Sequence, residues 1–146
     1  MRQTILVLAG VLLCVVALGS DSPKEYDDRT EAQDIQGTWE LTEIELQGEK
    51  VKSDSQEMMT FRGESFTANS QSLGIHRGNY RTYLTHKPYH LDLSYTDGDT
   101  KGPTLKLIFQ IDGEMLRIAE TYLPNDKQRP QGFNGAVEVW TYKRVK

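Results

Sequence analysis

The side chains best suited to metal binding or acid–base chemistry in this 146-residue chain are its three histidines and the acids near them. His90 and Asp92 are two residues apart, so they share one face of an extended segment. A divalent metal needs at least a third ligand, for which His76 is a candidate. His86 and His90 have helical ligand spacing, but Pro88 between them excludes a helix. We interpret His90 and Asp92 as solvent-facing polar residues of a strand, and we expect no metal and no cofactor.

A second segment with chemical potential is Asp97-Gly98-Asp99-Thr100-Lys101-Gly102-Pro103. Its composition is similar to that of calcium-binding and phosphate-binding loops. It lacks the closing glutamate of an EF-hand and the residue order of a P-loop. No serine lies in the glycine pattern of a nucleophile elbow. We therefore interpret this segment as a hairpin loop, and we assign no catalytic residue anywhere in the chain.

Glu120 is the acid that the strand pattern places on an inward face, because it alternates with Ile118 and Tyr122. A buried carboxylate requires either a cation or a ligand. Arg81 and Arg117 are the cations that we expect to pair with it. Binding of a ligand is the alternative, and catalysis would require a second acid facing the same cleft.

The elements that would position these groups are strands. From Gly37 onward apolar and polar residues alternate, which is typical of half-buried strands, and residues 89–95 and 105–111 are the clearest runs. A change of phase near Thr42-Glu43 predicts a β-bulge, and Asp112-Gly113 predicts a tight hairpin. A capping-box spacing from Thr30 to Gln33 predicts a short helical turn over 31–36.

The pattern predicts eight sequential strands and no amphipathic helix. Closure of such a series removes both exposed edges, and eight strands enclose an interior that is filled by side chains or holds one small ligand. We predict an all-β domain over residues 35–146, an eight-stranded antiparallel up-and-down barrel. A two-sheet sandwich is the alternative.

Residues 1–19 have the organisation of a cleavable signal peptide. Arg2 precedes an uncharged run from Ile5 to Leu18, and small residues end the segment at Ala17 and Gly19. A bilayer span needs about 20 apolar residues, and this run of fourteen is shorter, which favours cleavage. An uncleaved anchor is the alternative. Cleavage near Gly19 predicts a periplasmic or secreted protein without a transmembrane segment. Residues 20–34 are polar and acidic, which indicates a tether before the domain.

Cysteine and charge restrict the remaining classes. Cys14 lies inside the apolar run and follows Leu13, whereas a lipid-bearing cysteine follows a small residue, so we expect no lipid anchor. It is the one cysteine of the chain, so the exported domain would have no disulfide. The formal charge is −4 and no basic run exceeds Lys143-Arg144, which argues against nucleic acid as a partner.

Gly37-Thr38-Trp39, at the start of the first strand, resembles the Gly-x-Trp signature of the lipocalin superfamily. This resemblance implies that Trp39 closes one end of the barrel and that an arginine of the last strand packs across it. Arg144 has the matching place in the order of strands, and Lys143 is the alternative. The resemblance makes Gly37, Trp39 and Arg144 the expected barrel-closing residues. A guanidinium stacked on an indole covers the barrel end without burying a bare charge.

Most of the domain also resembles an exported, lipocalin-like family of unknown function that is expanded in planctomycetes. Arg129-Pro130 followed by Phe133 is similar to a late motif of that family, whereas a cysteine common near the position of Glu120 is absent. The family has no established activity. The similarity lies in residues 35–40, 59–67, 78–81, 87–93, 97–102 and 111–113.

Two functions follow as hypotheses. The first is a non-enzymatic module that binds a small apolar or amphipathic ligand in the barrel, with Tyr80, Tyr95, Phe109, Glu120 and Tyr122 as contacts. The second is a solid barrel whose loops, residues 97–103 and 123–135, bind a protein or polymer of the cell envelope. An enzyme built on Glu120 or on the His90/Asp92 face is a third hypothesis.

Overall fold

The structure is a computed structural model that describes residues 35–72, 74–97, 102–121, 128–135 and 137–146. The expected signal peptide, nearly all of the tether and helical turn, and Tyr122 lie outside the described residues. Among the described residues, no helix is long and apolar enough to cross a membrane.

The described residues form nine strands that belong to one antiparallel sheet. Two-residue turns at Gln47-Gly48, Gly63-Glu64 and Gly113-Glu114 make three of their connections, in agreement with the turn residues of the sequence. The strands are β1 (Gly37–Leu46), β2 (Glu49–Lys52), β3 (Met58–Arg62), β4 (Ser65–Ser70), β5 (Gly74–Tyr83), β6 (Tyr89–Tyr95), β7 (Leu105–Asp112), β8 (Met115–Thr121) and β9 (Val137–Arg144).

Eight of these strands close into a barrel. Each strand from β3 to β8 pairs with its successor, and β1 pairs with β3 on one side and with β9 on the other. The prediction of an all-β fold with an eight-stranded antiparallel barrel is therefore confirmed. The ninth strand, β2, was not predicted, because its residues Glu49–Lys52 are all exposed and mostly charged. It pairs with the second half of β1.

The predicted bulge in β1 is confirmed. The pairing of β1 with β9 shifts register between Leu41 and Glu43. Before the bulge Trp39 and Leu41 face inward, and after it Ile44 joins the same core. One extra residue thus keeps both halves of the strand directed at the interior.

Side chains fill most of the barrel interior. Within the described ranges, fourteen buried apolar residues form one cluster, which includes Trp39, Phe61, Phe66, Phe109 and Tyr142. Burial of each large side chain stabilises the fold by about 1.5–3 kcal/mol. The depth of packing argues against a deep ligand pocket on the axis of the barrel.

Among the described glycines, Gly78 has the closest neighbours. A Cβ at this position would lie 2.2 Å from the Ser94 carbonyl oxygen and 2.5 Å from a ring carbon of Phe66. Glycine lets β5 approach β6 while the Phe66 ring lies directly over its backbone.

A second apolar cluster lies on the outer face of the barrel. Residues 128–135, which we call the strap, pack Phe133 against Ile108, Ala119, Val137 and Val139. Arg117 lies over the Phe133 ring at 4.7 Å. This part of the loop predicted at 123–135 therefore covers the sheet instead of extending into solvent.

Candidate functional site

One end of the barrel is closed by Trp39 and is called the Trp39 end here. The Trp39 side chain is fully buried, and its indole nitrogen donates to the Ile35 carbonyl at 2.9 Å. The Arg144 guanidinium lies 4.0 Å from the ring and donates to the Gln36 carbonyl at 2.7 Å. Gly37, at φ 116°, leaves room for that guanidinium. The cation is satisfied by the ring and by a carbonyl, as the Gly-x-Trp resemblance implies.

The same end is held by a hydrogen-bonded turn between β3 and β4. The Gly63 backbone nitrogen donates to Gln36 Oε1 at 2.9 Å, and Gln36 Nε2 donates to the Gly63 carbonyl at 3.1 Å. The Tyr80 hydroxyl donates to that carbonyl at 2.7 Å and also accepts from Gln36 Nε2. The Tyr80 ring packs edge-on against Phe61 at 4.9 Å. These contacts give Tyr80 a structural role.

Of the predicted ligand contacts, Tyr80 and Phe109 lie in the packed half of the barrel. Phe109 is fully buried and lies 5.4 Å from the Tyr89 ring. Tyr95 and Glu120 lie together toward the opposite end, where the Glu120 charge helps to raise the pKa of the Tyr95 phenol beyond the effect of burial. The structure thus brings Tyr95 and Glu120 together and places Tyr80 and Phe109 apart from them.

The opposite end, called the Glu120 end, contains inward-facing side chains that are only half-buried. Tyr95 lies between Phe66 at 5.2 Å and His76 at 6.1 Å, both in edge-on contact. Trp140 and Glu138 on β9 pair in register with Ile118 and Glu120 on β8. We call this group the cup: Ile44, Ala68, Tyr95, Leu105, Glu120, Glu138 and Trp140, all of intermediate exposure.

The cup contains two carboxylates that face each other directly. Glu120 and Glu138 are register partners, and side chains at such positions have Cβ atoms about 4.5–5.5 Å apart. Burial and then the neighbouring Glu138 raise the pKa of Glu120. Burial also raises the pKa of Glu138, although a hydrogen bond from Trp140 lowers it in part. Among the described residues, neither carboxylate has an ion pair.

The expected pairing of Glu120 with Arg81 or Arg117 is wrong. Arg81 is exposed on the outer face of β5, opposite Asp92. Arg117 is on the outer face of β8, where it contacts Phe133 and is 3.9 Å from Glu45. Both alternate with inward-facing residues, so the wall of the barrel separates them from Glu120.

Glu138 was not identified from the sequence. The segment Val137–Glu138–Val139–Trp140 alternates clearly, but apolar side chains lie on both of its faces. Either face could therefore have been the inner one. The pairing of Glu138 with Glu120 also depends on the register across a long connection, which alternation alone does not determine.

The three histidines do not form one site. His76 is inside the barrel beside Tyr95, whereas His86 and His90 stack at 4.3 Å outside it. The described residues contain no group of three or more side chains that could hold a metal ion. Burial, with help from Arg129 and His86, lowers the pKa of His90.

Asp92 is not solvent-facing as expected, because the strap covers it to 8% exposure. It accepts from Lys106 Nζ at 2.5 Å and from Arg129 at 2.5 Å. Burial alone would raise the pKa of Asp92, but these two hydrogen bonds hold it below its ordinary value. Arg129 also donates to the carbonyls of Leu91 and Leu107, which fastens the strap to β6 and β7.

Two cavities lined by described residues lie on the outer surface of the barrel. The smaller, of about 350 Å³, includes Glu43, Lys50 and Arg117. The larger, of about 750 Å³, crosses β5, β6 and β7 and is called the outer groove. Its polar lining includes Glu64, Asn79, Arg81, Tyr83, Asp92, Ser94, Thr104 and Lys106.

Comparison with known proteins found no match to this chain among protein-family models, curated proteins or solved structures.

Proposed function

We propose that this protein is a non-enzymatic binding module that holds a small amphipathic ligand in the cup. The observation that carries the proposal is the inward-facing pair Glu120 and Glu138, set among half-buried aromatic and aliphatic side chains. Small-molecule sites combine an apolar lining with a few converging polar groups, and the cup has this composition.

The carboxylate pair defines the chemistry of the ligand. Like charges on directly opposed residues destabilise a sheet, and burial adds a desolvation cost. A positively charged group between the two carboxylates would remove the repulsion and offset part of the desolvation cost. The Trp140 and Tyr95 rings next to them suit an apolar or cationic group. The ligand class is therefore an amine with a short apolar chain.

The packed interior makes this site shallow. The core cluster reaches Tyr142, which is 7% exposed, so a ligand would occupy only the layer of the cup. A large apolar ligand along the barrel axis would have to displace buried aromatic rings. We therefore propose a ligand of a few carbon atoms next to its charged group.

We further propose that the barrel is lipocalin-like and that the protein acts in the periplasm or outside the cell. The fold proposal is supported by Gly37, Trp39 and the stacked Arg144 at the closed end. The location is supported by the signal-like composition of residues 1–19 and by a domain without cysteine.

Isothermal titration of the full chain with butylamine, butanol and butanoate would test the ligand proposal. These probes share a four-carbon chain and differ in the charge of the head group. We expect butylamine to bind most tightly and butanoate not to bind. A Glu120→Gln/Glu138→Gln double variant should lose about tenfold in butylamine affinity, the effect of removing a charged hydrogen-bonding partner.

A Glu40→Gln/Glu114→Gln double variant is the matched control, because both residues are exposed and outside the cup. It should bind butylamine as the natural chain does. Equal binding of butylamine and butanoate, no binding of any probe, or unchanged affinity in the cup variant would each contradict the proposal.

A further inference from the structure

The outer groove has an unusual arrangement of charge on its floor. Arg81 on β5 pairs in register with Asp92 on β6, which pairs in register with Lys106 on β7. One carboxylate thus lies between two cations in a row that crosses three strands. Arg129 of the strap approaches the same carboxylate from the side, at 2.5 Å.

Positive charge exceeds negative charge in this cluster. Asp92 already accepts from both Lys106 and Arg129, and within the described part of the chain Arg81 has no ion pair. Three cations therefore lie around one carboxylate that pairs with only two of them, on a chain whose formal charge is −4. Because the Arg81 side chain is exposed, it can bind an anion without giving up an existing contact.

Neutral hydrogen-bonding groups surround these cations. Ser94 Oγ and Thr104 Oγ1 are 2.7 Å apart, and the Asn79 amide lies along β5 from Arg81. Tyr83 borders the groove with 38% exposure and contributes an aromatic surface. The volume of about 750 Å³ lies within the usual range of small-molecule sites.

Glu64 in the same lining limits the ligand further. A densely charged polyanion such as a nucleic acid would place phosphates next to this carboxylate, at an electrostatic cost. A ligand with separated anionic groups and many hydroxyls avoids that cost. It also matches the Asn, Ser and Thr side chains of the groove, which donate and accept.

We propose that the outer groove binds an acidic saccharide, with Arg81 and Lys106 on its carboxylate or sulfate group and the hydroxyl side chains on its sugar hydroxyls. Asp92 acts as a positioning residue, because it holds Lys106 and the Arg129 end of the strap in place. This site is outside the barrel wall and separate from the cup.

Titration of the full chain with three oligosaccharides would test this inference by NMR or calorimetry. The probes are trigalacturonic acid, a κ-carrageenan tetrasaccharide with one sulfate on every second sugar, and neutral maltotriose. We expect at least one acidic probe to bind and maltotriose not to bind, and the stronger acidic probe distinguishes a carboxylate from a sulfate preference. Binding should weaken as salt increases, because the groove is open to solvent.

Variants locate the binding in the groove. Arg81→Gln should weaken the acidic probe about tenfold, since a charged hydrogen bond is lost, and Arg81→Glu should abolish binding. Lys143→Gln makes the same change of charge on β9, across the barrel from β5, and should bind normally. The Glu120→Gln/Glu138→Gln variant should also bind normally, which separates this test from that of the cup.

The inference is overturned if no acidic probe binds, if maltotriose binds as tightly as the acidic probes, or if Arg81→Glu binds them normally. Tighter binding of a single-stranded oligonucleotide of equal charge would also overturn it in favour of a nucleic-acid surface. Circular dichroism of each variant would confirm that the barrel is intact.

Discussion

Replacement of Gly78 by alanine tests the packing of the barrel most directly. The added methyl carbon would lie 2.2 Å from the Ser94 carbonyl oxygen and 2.5 and 2.9 Å from two ring carbons of Phe66. Real Cβ atoms essentially never lie closer than 3.0 Å to such atoms. The carbonyl belongs to β6 and Phe66 is buried, so neither can move freely.

The size of the effect follows from these contacts. Overpacking of a core by one methylene costs about 1–3 kcal/mol. Here one contact is with backbone, so we expect a loss of about 3 kcal/mol or more in the free energy of unfolding. A small domain is stable by about 5–15 kcal/mol, so much of its stability would be lost. At about 4 °C per kcal/mol, the melting temperature should fall by roughly 12 °C.

Urea unfolding of the full chain, followed by tryptophan fluorescence, would measure this loss, because Trp39 and Trp140 are both in the barrel. Gly132→Ala is the matched control, since a Cβ there would contact nothing within 4 Å. The control should differ from the natural chain by no more than about 0.5 kcal/mol. The close packing of β5 against β6 would be refuted if Gly78→Ala had a free energy of unfolding within 1 kcal/mol of the natural chain, with the same dependence on urea concentration. A loss of about 1 kcal/mol is the mean effect of any substitution.

Three further predictions concern charged groups, and urea unfolding tests each of them. Arg144→Ala should cost about 2–4 kcal/mol, because it removes the contact with Trp39 and the hydrogen bond to the Gln36 carbonyl; full recovery in Arg144→Lys would argue against a role for the planar guanidinium. Asp92→Asn should cost about 2–3 kcal/mol at pH 7, less than for a fully buried pair because the Lys106 side chain is 42% exposed. The pKa of Asp92 is lower in the folded than in the unfolded chain, so its stabilising effect is present above the unfolded pKa and is lost as pH falls. The difference in unfolding free energy between the natural chain and Asp92→Asn should therefore shrink below about pH 3.9. A difference that does not depend on pH would exclude the ion pairs as its source. Glu138→Gln should stabilise the protein by about 0.5 kcal/mol at pH 7. Because the fold raises the pKa of both cup carboxylates, the natural chain should lose stability as pH rises above about 4.3, and Glu138→Gln should lose less. Equal losses in the two proteins would contradict the repulsion between Glu120 and Glu138.

The alternation of the sequence predicted most of the barrel because one face of nearly every strand is buried. In residues 89–95 and 105–111 the alternating apolar side chains face the interior, and only Ile108 breaks the alternation and packs beneath the strap. The change of phase at Thr42-Glu43 correctly predicted the bulge. Closure through β1 and β9 followed from strand number and from the cost of exposed edges. The strand β2 has no apolar face, so no pattern indicated it.

The candidate site was predicted only in part, for identifiable reasons. The alternation that places Tyr80 inside β5 necessarily places Arg81 outside, so its expected pairing with Glu120 conflicted with the pattern itself. Glu138 could be found only with the register of β9. The strap was missed because its contacts depend on isolated residues, Arg129 and Phe133, within a polar segment without periodicity.

The closure of the barrel has a consequence for the order in which the chain can fold. Thr42 donates to the Thr141 carbonyl at 3.0 Å, and Arg144 donates to the Gln36 carbonyl, so the seam joins residues 99 and 108 positions apart. Contacts of such long range form slowly, because loop closure must precede them. Until Val137–Arg144 has been synthesised, β1 has no partner on one edge and Trp39 has no guanidinium above it. For a protein exported as we propose, this delay would keep the chain unfolded, which is the form that passes through a translocation channel. Pairing of the eight-residue strand β9 with β1 would then complete the barrel and end that unfolded state.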